Sequence, residues 1–249
     1  MTQRSESSAD ERPRRVSQRV TADERLFVSP HREPPFTQTD PWRVLRIMGE
    51  FVSGFEELAD IGAAVTIFGS ARAHPPDPMY EMAMDTARRL GREGFTVLTG
   101  AGPGIMEAAN KGAREVGAPS IGLNIELPEE QDANPYLDRV VDFRYFFVRK
   151  TMLVKYSSAF VIFPGGFGTL DELFEALTLI QTGKVRHMPV VLVGSEYWAG
   201  LIGWLKGALL AEGKISPEDL DIFQLVDDPA EIVRLVVAAR DRANGDVIP

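Results

Sequence analysis

Short apolar runs, rich in β-branched and aromatic residues, alternate along this chain with segments of helical periodicity, and no other feature constrains the fold as much. The runs are AAVTIFG, FTVLTG, PSIGLN, DRVVDF, AFVIFPGG, PVVLVG and DIFQLV. Between them, apolar residues recur at helical spacing over Pro78 to Gly91, Ile105 to Val116, Arg144 to Tyr156, Leu170 to Gln181, Glu196 to Leu210 and Pro229 to Ala243. Strands this uniformly apolar need cover on both faces, and crossover helices supply it in a parallel sheet. The expected fold is α/β: a single Rossmann-like, doubly wound domain with a mainly parallel sheet. No repeat of solenoid period and no linker divides it.

Residues 1–35 are Ser, Arg, Glu and Pro with few large apolar side chains, too little to offset the entropy of ordering, and are expected to form a flexible tail. The domain is assigned to residues 36–249. It opens with an extra N-terminal helix at about 40–58, where Asp40 suits the cap, Pro41 the first helical position, and Val44, Ile47, Met48, Phe51 and Phe55 form an apolar stripe. The net charge of −9 argues against a nucleic-acid partner, which would want a surplus of Lys and Arg. With no cysteine there is no disulfide scaffold, thiolate metal site or Cys nucleophile. No apolar run approaches the roughly 18 residues needed to span a bilayer, and the start MTQRSESSADERPRR lacks the apolar stretch of a secretory signal, so a cytoplasmic protein without membrane contact is expected.

Ligands of doubly wound sheets bind at the carboxyl ends of the strands. Three loops qualify: FGSARAHPPD (Phe68 to Asp77), LTGAGPGIMEAANKG (Leu98 to Gly112) and FPGGFGTLDE (Phe163 to Glu172). Gly165, Gly166 and Gly168 leave backbone N–H groups open to an anion, and the helix that follows points its positive end at the same place. Phe167 lies within that turn, and Thr169 either caps the helix or offers its hydroxyl to a phosphate. Ser70 in the first loop and Gly102 and Met106 in the second are expected to line the same cleft. Neither the P-loop pattern nor the dinucleotide pattern fits, the latter because Ile105 stands where Gly or Ala belongs, which leaves a ligand with one phosphate.

With a helix start near Thr169, Asp171 is explained by the helix dipole. Glu172 has two readings: a capping-box partner of Thr169, or a carboxylate beside the phosphate turn. Arg149 and Lys150, on a helix before that turn, are the basic candidates, with a solvated Arg-Lys pair as the ordinary reading of such a dipeptide. The histidines, His31, His74 and His187, give neither a Ser-His-Asp constellation nor a metal cluster, so no metal is expected.

PGGFGTLDE (Pro164 to Glu172) resembles the PGGxGTxxE signature of the Lonely Guy (LOG) family, cytokinin-activating nucleoside-monophosphate phosphoribohydrolases once misnamed lysine decarboxylases. VRKTM matches that family's Arg-Lys pair on the preceding helix, and FGSAR and TGAGPGIMEAANKGA resemble its first two loops, so the likeness runs from about Ala63 to at least Gly194. The resemblance implies Arg149 and Glu172 as the catalytic pair, Gly165 through Thr169 as the phosphate cradle, Lys150 as a further substrate contact, and Thr178 as a substrate-contacting residue. The longer loop NIELPEEQDANPY is similar to that of the larger bacterial members and supplies Glu130 and Asn134 as candidates for base recognition. The implied reaction is hydrolysis of the N-glycosidic bond of AMP or an N6-modified AMP to free base and ribose 5-phosphate, with no cofactor, by a homodimer or higher homo-oligomer. Within the superfamily the competing activity is that of an AMP nucleosidase. Outside catalysis the alternative is a nucleotide or pterin binding protein like the molybdenum-cofactor carriers, which resemble the same fold.

Overall fold

Each of the apolar runs becomes a strand: β1 (Ala64–Phe68), β2 (Thr96–Thr99), β3 (Ser120–Ile125), β4 (Arg139–Phe143), β5 (Ser157–Ile162), β6 (Val190–Leu192) and β7 (Phe223–Leu225). A computed structural model describes residues 21–27, 35–128, 132–186 and 188–245 of the chain. The strands form one seven-stranded sheet of order β4-β3-β2-β1-β5-β6-β7, and every adjacent pair is parallel. From β1 the chain runs outward to β4, then returns to lay β5 against the other side of β1, so the switch point of this doubly wound sheet falls between β1 and β5.

Side-chain alternation divides the core into two layers. In β1, Val65 and Ile67 face one layer while Ala64 and Phe68 face the other; in β5, Ala159 and Val161 are set against Phe160 and Ile162 in the same way. Helices α3 (Pro78–Arg92) and α4 (Ile105–Glu115) cover the first face together with α8 (Pro229–Gly245). The second is covered by α2 (Asp40–Leu58), α5 (Phe146–Lys155), α6 (Phe167–Gln181) and α7 (Ser195–Trp204), the last continued by a π-helical turn over Leu205–Leu210. The central strands β1 and β2 are buried along their whole length; the edge strand β7 is not.

Two elements depart from their sequence expectation. The stripe expected to hold α2 on the core is largely in solvent: Val44, Met48 and Phe55 are exposed, as are Leu45 and Val52. Only Gly54 and Leu58 of α2 are buried. A Cβ on Gly54 would lie 3.0 Å from Met152 and 3.1 Å from Phe143, so the missing side chain is what lets α2 approach α5. Secondly, within the segment expected to be a tail, α1 (Ala22–Phe27) packs Ala22 and Leu26 against the second layer. Residues 1–20 and 28–34 of that segment lie outside the described residues.

These two helices support α5. Its N-cap, Tyr145, contributes no side-chain bond. Instead, Glu50 of α2 accepts from the backbone N–H groups of Arg144 (3.0 Å) and Tyr145 (3.1 Å), and Asp23 of α1 accepts from that of Phe146 (3.1 Å). Carboxylates at the positive end of a helix satisfy donors that would otherwise be orphaned and oppose its dipole favourably. Burial raises the pKa of both acids, and their backbone hydrogen bonds pull in the other direction. Glu50→Ala is expected to destabilise the protein by about 1–2 kcal/mol, as removal of a helix cap does, measured by urea denaturation.

Candidate active site

The three strand-end loops meet at the β1/β5 seam because glycines let their backbones touch. Ser70, just after β1, donates its N–H to the carbonyl of Pro164 after β5 (2.9 Å), and its own carbonyl accepts from Ile105 at the start of α4 (3.0 Å). A Cβ on Gly69 would lie 2.6 Å from Ile105, and one on Gly104 (φ +71°) would collide with the Ser70 carbonyl. Around this junction opens a cleft of about 640 Å³, lined by Phe68 to Arg72, Met106, Phe146, Arg149, Gly166 to Thr169, Asp171 and Glu172.

Helix α6 begins earlier than its sequence suggests. Gly166, not Thr169, is its N-cap, and no side chain caps it. The start moves because glycine at the cap leaves no polar side chain to announce it. Three consequences follow for the site. The N–H groups of Gly166, Phe167 and Gly168 have no acceptor among the described residues and stand at the positive end of the helix, bordering the cleft. Thr169 is inside the helix and buried against Gly165, where a Cβ would lie 2.1 Å from the Thr169 hydroxyl. Glu172 is too far along α6 to close a capping box, so that reading is set aside. Asp171 is likewise beyond the first turn, and in place of the dipole it has Lys150, whose ammonium lies 2.8 Å away.

Arg149 and Glu172 face the cleft from α5 and α6. Glu172 is 7% exposed, and burial pushes its carboxyl up to about 7 against the opposing pull of Lys150 and Arg149. Burial also lowers the pKa of the Arg149 guanidinium, but arginine starts so high that it remains a cation. Arg149 Nε and Glu172 Oε2 are both buried without a hydrogen-bond partner among the described residues. A buried donor and a buried acceptor left open at one cleft are costly, and a polar ligand would satisfy them. The guanidinium fits only because residue 100 is glycine: a Cβ there would lie 2.3 Å from an Arg149 terminal nitrogen.

Of the residues expected at the site, Ser70, Met106, Arg149, Gly166, Phe167, Gly168, Thr169 and Glu172 line the cleft. Gly165 stands directly behind the turn. Lys150 is not among the lining residues; it is held by Asp171 and Glu175, each at 2.8 Å, and braces α5 against α6. Asn134, expected to read a base, spends its amide inside the protein, donating to the carbonyls of Ala101 (3.1 Å) and Gly102 (3.0 Å) and to Asn110 (2.9 Å). It ties down the second loop, where Ala101 adopts φ +67°, a conformation that disfavours any residue but glycine. Gly102 enters the site only as one of those bonded carbonyls. Thr178 donates to the carbonyl of Phe174 and lines a separate apolar groove with Leu177 and Leu205, away from the cleft of its own chain. Glu130 lies outside the described residues. Phe146, not among the residues expected at the site, borders the cleft with its ring 6.0 Å from the Arg149 guanidinium, one helical turn before it. That spacing was its only signal.

A parallel sheet with its cleft at the switch point, a glycine-capped helix facing that cleft and a buried carboxylate beside a buried guanidinium place the chain in the Rossmann-like class of proteins. The family described as possible lysine decarboxylase matches residues 106–236, and the chain belongs to that family, known also as the LOG family. The cytokinin riboside 5'-monophosphate phosphoribohydrolase of Mycobacterium tuberculosis is 30% identical over 159 residues, 63% of this chain and 84% of that protein. A probable enzyme of the same name from Oryza sativa subsp. japonica is 29% identical over 176 residues, 69% of this chain and 74% of its own. Among solved structures, the molybdenum cofactor binding protein of Rippkaea orientalis shares the fold at a TM-score of 0.54, with 20% identity over 71% of this chain and 96% of that one.

The raised pKa of Glu172 has a consequence for stability. Folding favours its protonated form, so its contribution is whole below the ordinary glutamate value of 4.5 and is lost as the pH rises through about 7. Glu172→Gln cannot ionise. The variant is expected to match the wild type in thermal stability near pH 4 and to exceed it at pH 8, by about 3 kcal/mol in the limit of a full shift.

Proposed function

We propose that this protein hydrolyses the N-glycosidic bond of a nucleoside 5'-monophosphate, AMP or an N6-modified AMP such as a cytokinin riboside 5'-monophosphate, releasing the free base and ribose 5-phosphate. The observation that carries the reading is the buried Glu172 carboxylate lining one cleft together with the Arg149 guanidinium and the open N–H groups at the start of α6. The names of the two relatives support the same chemistry.

In this reading the 5'-phosphate sits on the N–H groups of Gly166, Phe167 and Gly168, where the helix dipole and three donors meet it. Departure of the base leaves positive charge on the ribose carbon, in the manner of glycoside cleavage. Glu172, ionised, stabilises that charge or orients the attacking water; Arg149 holds phosphate or ribose oxygens and keeps the carboxylate ionised. Phe146, Phe167 and Met106 give the cleft apolar surface against which a base can lie. Lys150 acts through its charge, lowering the Glu172 pKa against Glu175 and Asp171, which raise it.

Incubation with AMP and with isopentenyl-AMP, followed by chromatography, is expected to show release of base; release from neither, with copurification of a pterin, overturns the reading. The rate at subsaturating substrate is expected to fall as the pH drops through about 7 with protonation of Glu172. Glu172→Gln and Arg149→Ala are expected to fold and lose turnover. Gly100→Ala is the finer test, because its Cβ displaces the Arg149 guanidinium while residue 149 remains arginine. It is expected to keep the wild-type melting behaviour and lose at least about tenfold in turnover, a displacement penalty of about 1.4 kcal/mol or more.

We further infer that the partner is a second copy of the chain. Leu45, Met48, Val52 and Phe55 stand exposed along α2 at the spacing of a helix-packing seam, and Phe146 and Phe147 are exposed at the start of α5. Sedimentation equilibrium is expected to give a dimer or larger species, and Met48→Glu with Val52→Glu to shift it toward the monomer. A monomeric wild type overturns the inference.

A further inference from the structure

Two consecutive glycines make a poor anchor for an anion. Gly165 and Gly166 have no side chains to resist rotation of the peptide between them, and a Cβ on Gly166 would meet nothing within 4 Å. A flip of that peptide would turn a carbonyl oxygen toward the cleft in place of an N–H, replacing attraction for a phosphate by repulsion. Among the described residues one hydrogen bond opposes the flip: the Tyr197 hydroxyl donates to the carbonyl of Gly165 at 2.6 Å.

The direction of this bond matters. In a trans peptide the C=O and N–H point in opposite directions. Tyr197 is on α7, which follows β6, whereas the cleft opens on the β1 side of β5. A Gly165 carbonyl drawn toward α7 therefore sends the Gly166 N–H toward the cleft. Tyr197 is itself held firmly although its side chain is half in solvent. Asp227 pins the start of α7, accepting from the N–H groups of Gly194 (2.8 Å) and Ser195 (2.9 Å) and from the Ser195 hydroxyl (2.5 Å). The next residue, Trp198, is buried, donates to the carbonyl of Val193 (2.9 Å) and meets the Tyr197 ring edge-on at 4.9 Å.

We propose that Tyr197 is a positioning residue for anion recognition: through the Gly165 carbonyl it fixes the orientation of the Gly165–Gly166 peptide and thereby the affinity of the α6 turn for a phosphate. The proposal rests on the phosphate reading of that turn but not on the hydrolysis assigned to the cleft. It requires nothing of Tyr197 in the chemical step, and no contact between Tyr197 and the substrate.

Tyr197→Phe keeps the ring and its packing on Trp198 and removes only the hydroxyl. Its affinity for inorganic phosphate, measured by titration calorimetry, is expected to fall about tenfold, the worth of one hydrogen bond of about 1.4 kcal/mol. For a nucleoside 5'-monophosphate, KM is expected to rise by a similar factor with kcat within about twofold. The melting temperature and the affinity for the corresponding nucleoside, which lacks the phosphate, are expected to stay at their wild-type values. A merely structural tyrosine would move the melting temperature and spare the contrast between phosphate and nucleoside. Unchanged phosphate affinity in Tyr197→Phe overturns the proposal, as does a wild type that binds no phosphate. A wild type that binds phosphate, loses it on Tyr197→Phe and releases no base from any nucleotide leaves the positioning role standing and overturns the hydrolase reading.

Discussion

The parallel pairing of β1 with β5 is the constraint on which the rest of the molecule depends. It runs over the length of both strands, from Ala64 against Ser157 to Phe68 against Ile162, and it joins parts of the chain about ninety residues apart. Once these strands are in register, the loops that leave them have little freedom, and the Ser70 to Pro164 and Ile105 to Ser70 bonds lock all three loops at one point. The glycines at 69, 100, 104 and 165 are consequences of that crowding. Each stands where a side chain would strike a neighbouring loop, a catalytic candidate or a helix start.

Charge at the cleft is carried by two groups of residues. Arg149 and Glu172 are buried with open hydrogen-bonding atoms, while Lys150, 2.8 Å from both Asp171 of the cleft lining and Glu175, partly offsets those two acids. Burial dominates the Glu172 pKa, and the cations moderate it. A carboxylate kept near its midpoint at neutral pH, beside a guanidinium that remains charged, is destabilising to the fold and useful for chemistry. The glycine-rich turn adds a third component that carries no formal charge, backbone donors alone, whose value depends entirely on which way they face.

Much of this was legible in the sequence because it is written locally. Strand and helix alternation and the three loops follow from short patterns whose meaning does not depend on distant residues, whereas Arg149 and Glu172 were paired only by the resemblance of VRKTM and PGGFGTLDE to the LOG family. The points at which the structure adds to or departs from that reading have a common physical origin. The start of α6 was misplaced because Gly166 caps with backbone alone. Asn134 resembled a ligand-reading side chain because nothing near it in sequence shows that its amide is consumed by the second loop. The resemblance implies Lys150 as a substrate contact, and nothing on its own helix shows that its ammonium is held by Asp171 and Glu175 on the next one. The apolar stripe of α2 signalled a helix correctly, but periodicity does not say whether the covering surface belongs to the same chain.

The capping of α5 carries a consequence for how such a protein can change over time. The helix that presents Arg149 has no cap of its own and relies on Glu50 and Asp23, contributed by the two helices that precede the sheet. The N-terminal helices are therefore not an ornament that evolution can trim freely. A lineage that shed them would have to acquire a capping side chain at position 145 at the same time, and until it did, the strand-to-helix joint beneath its guanidinium would be frayed.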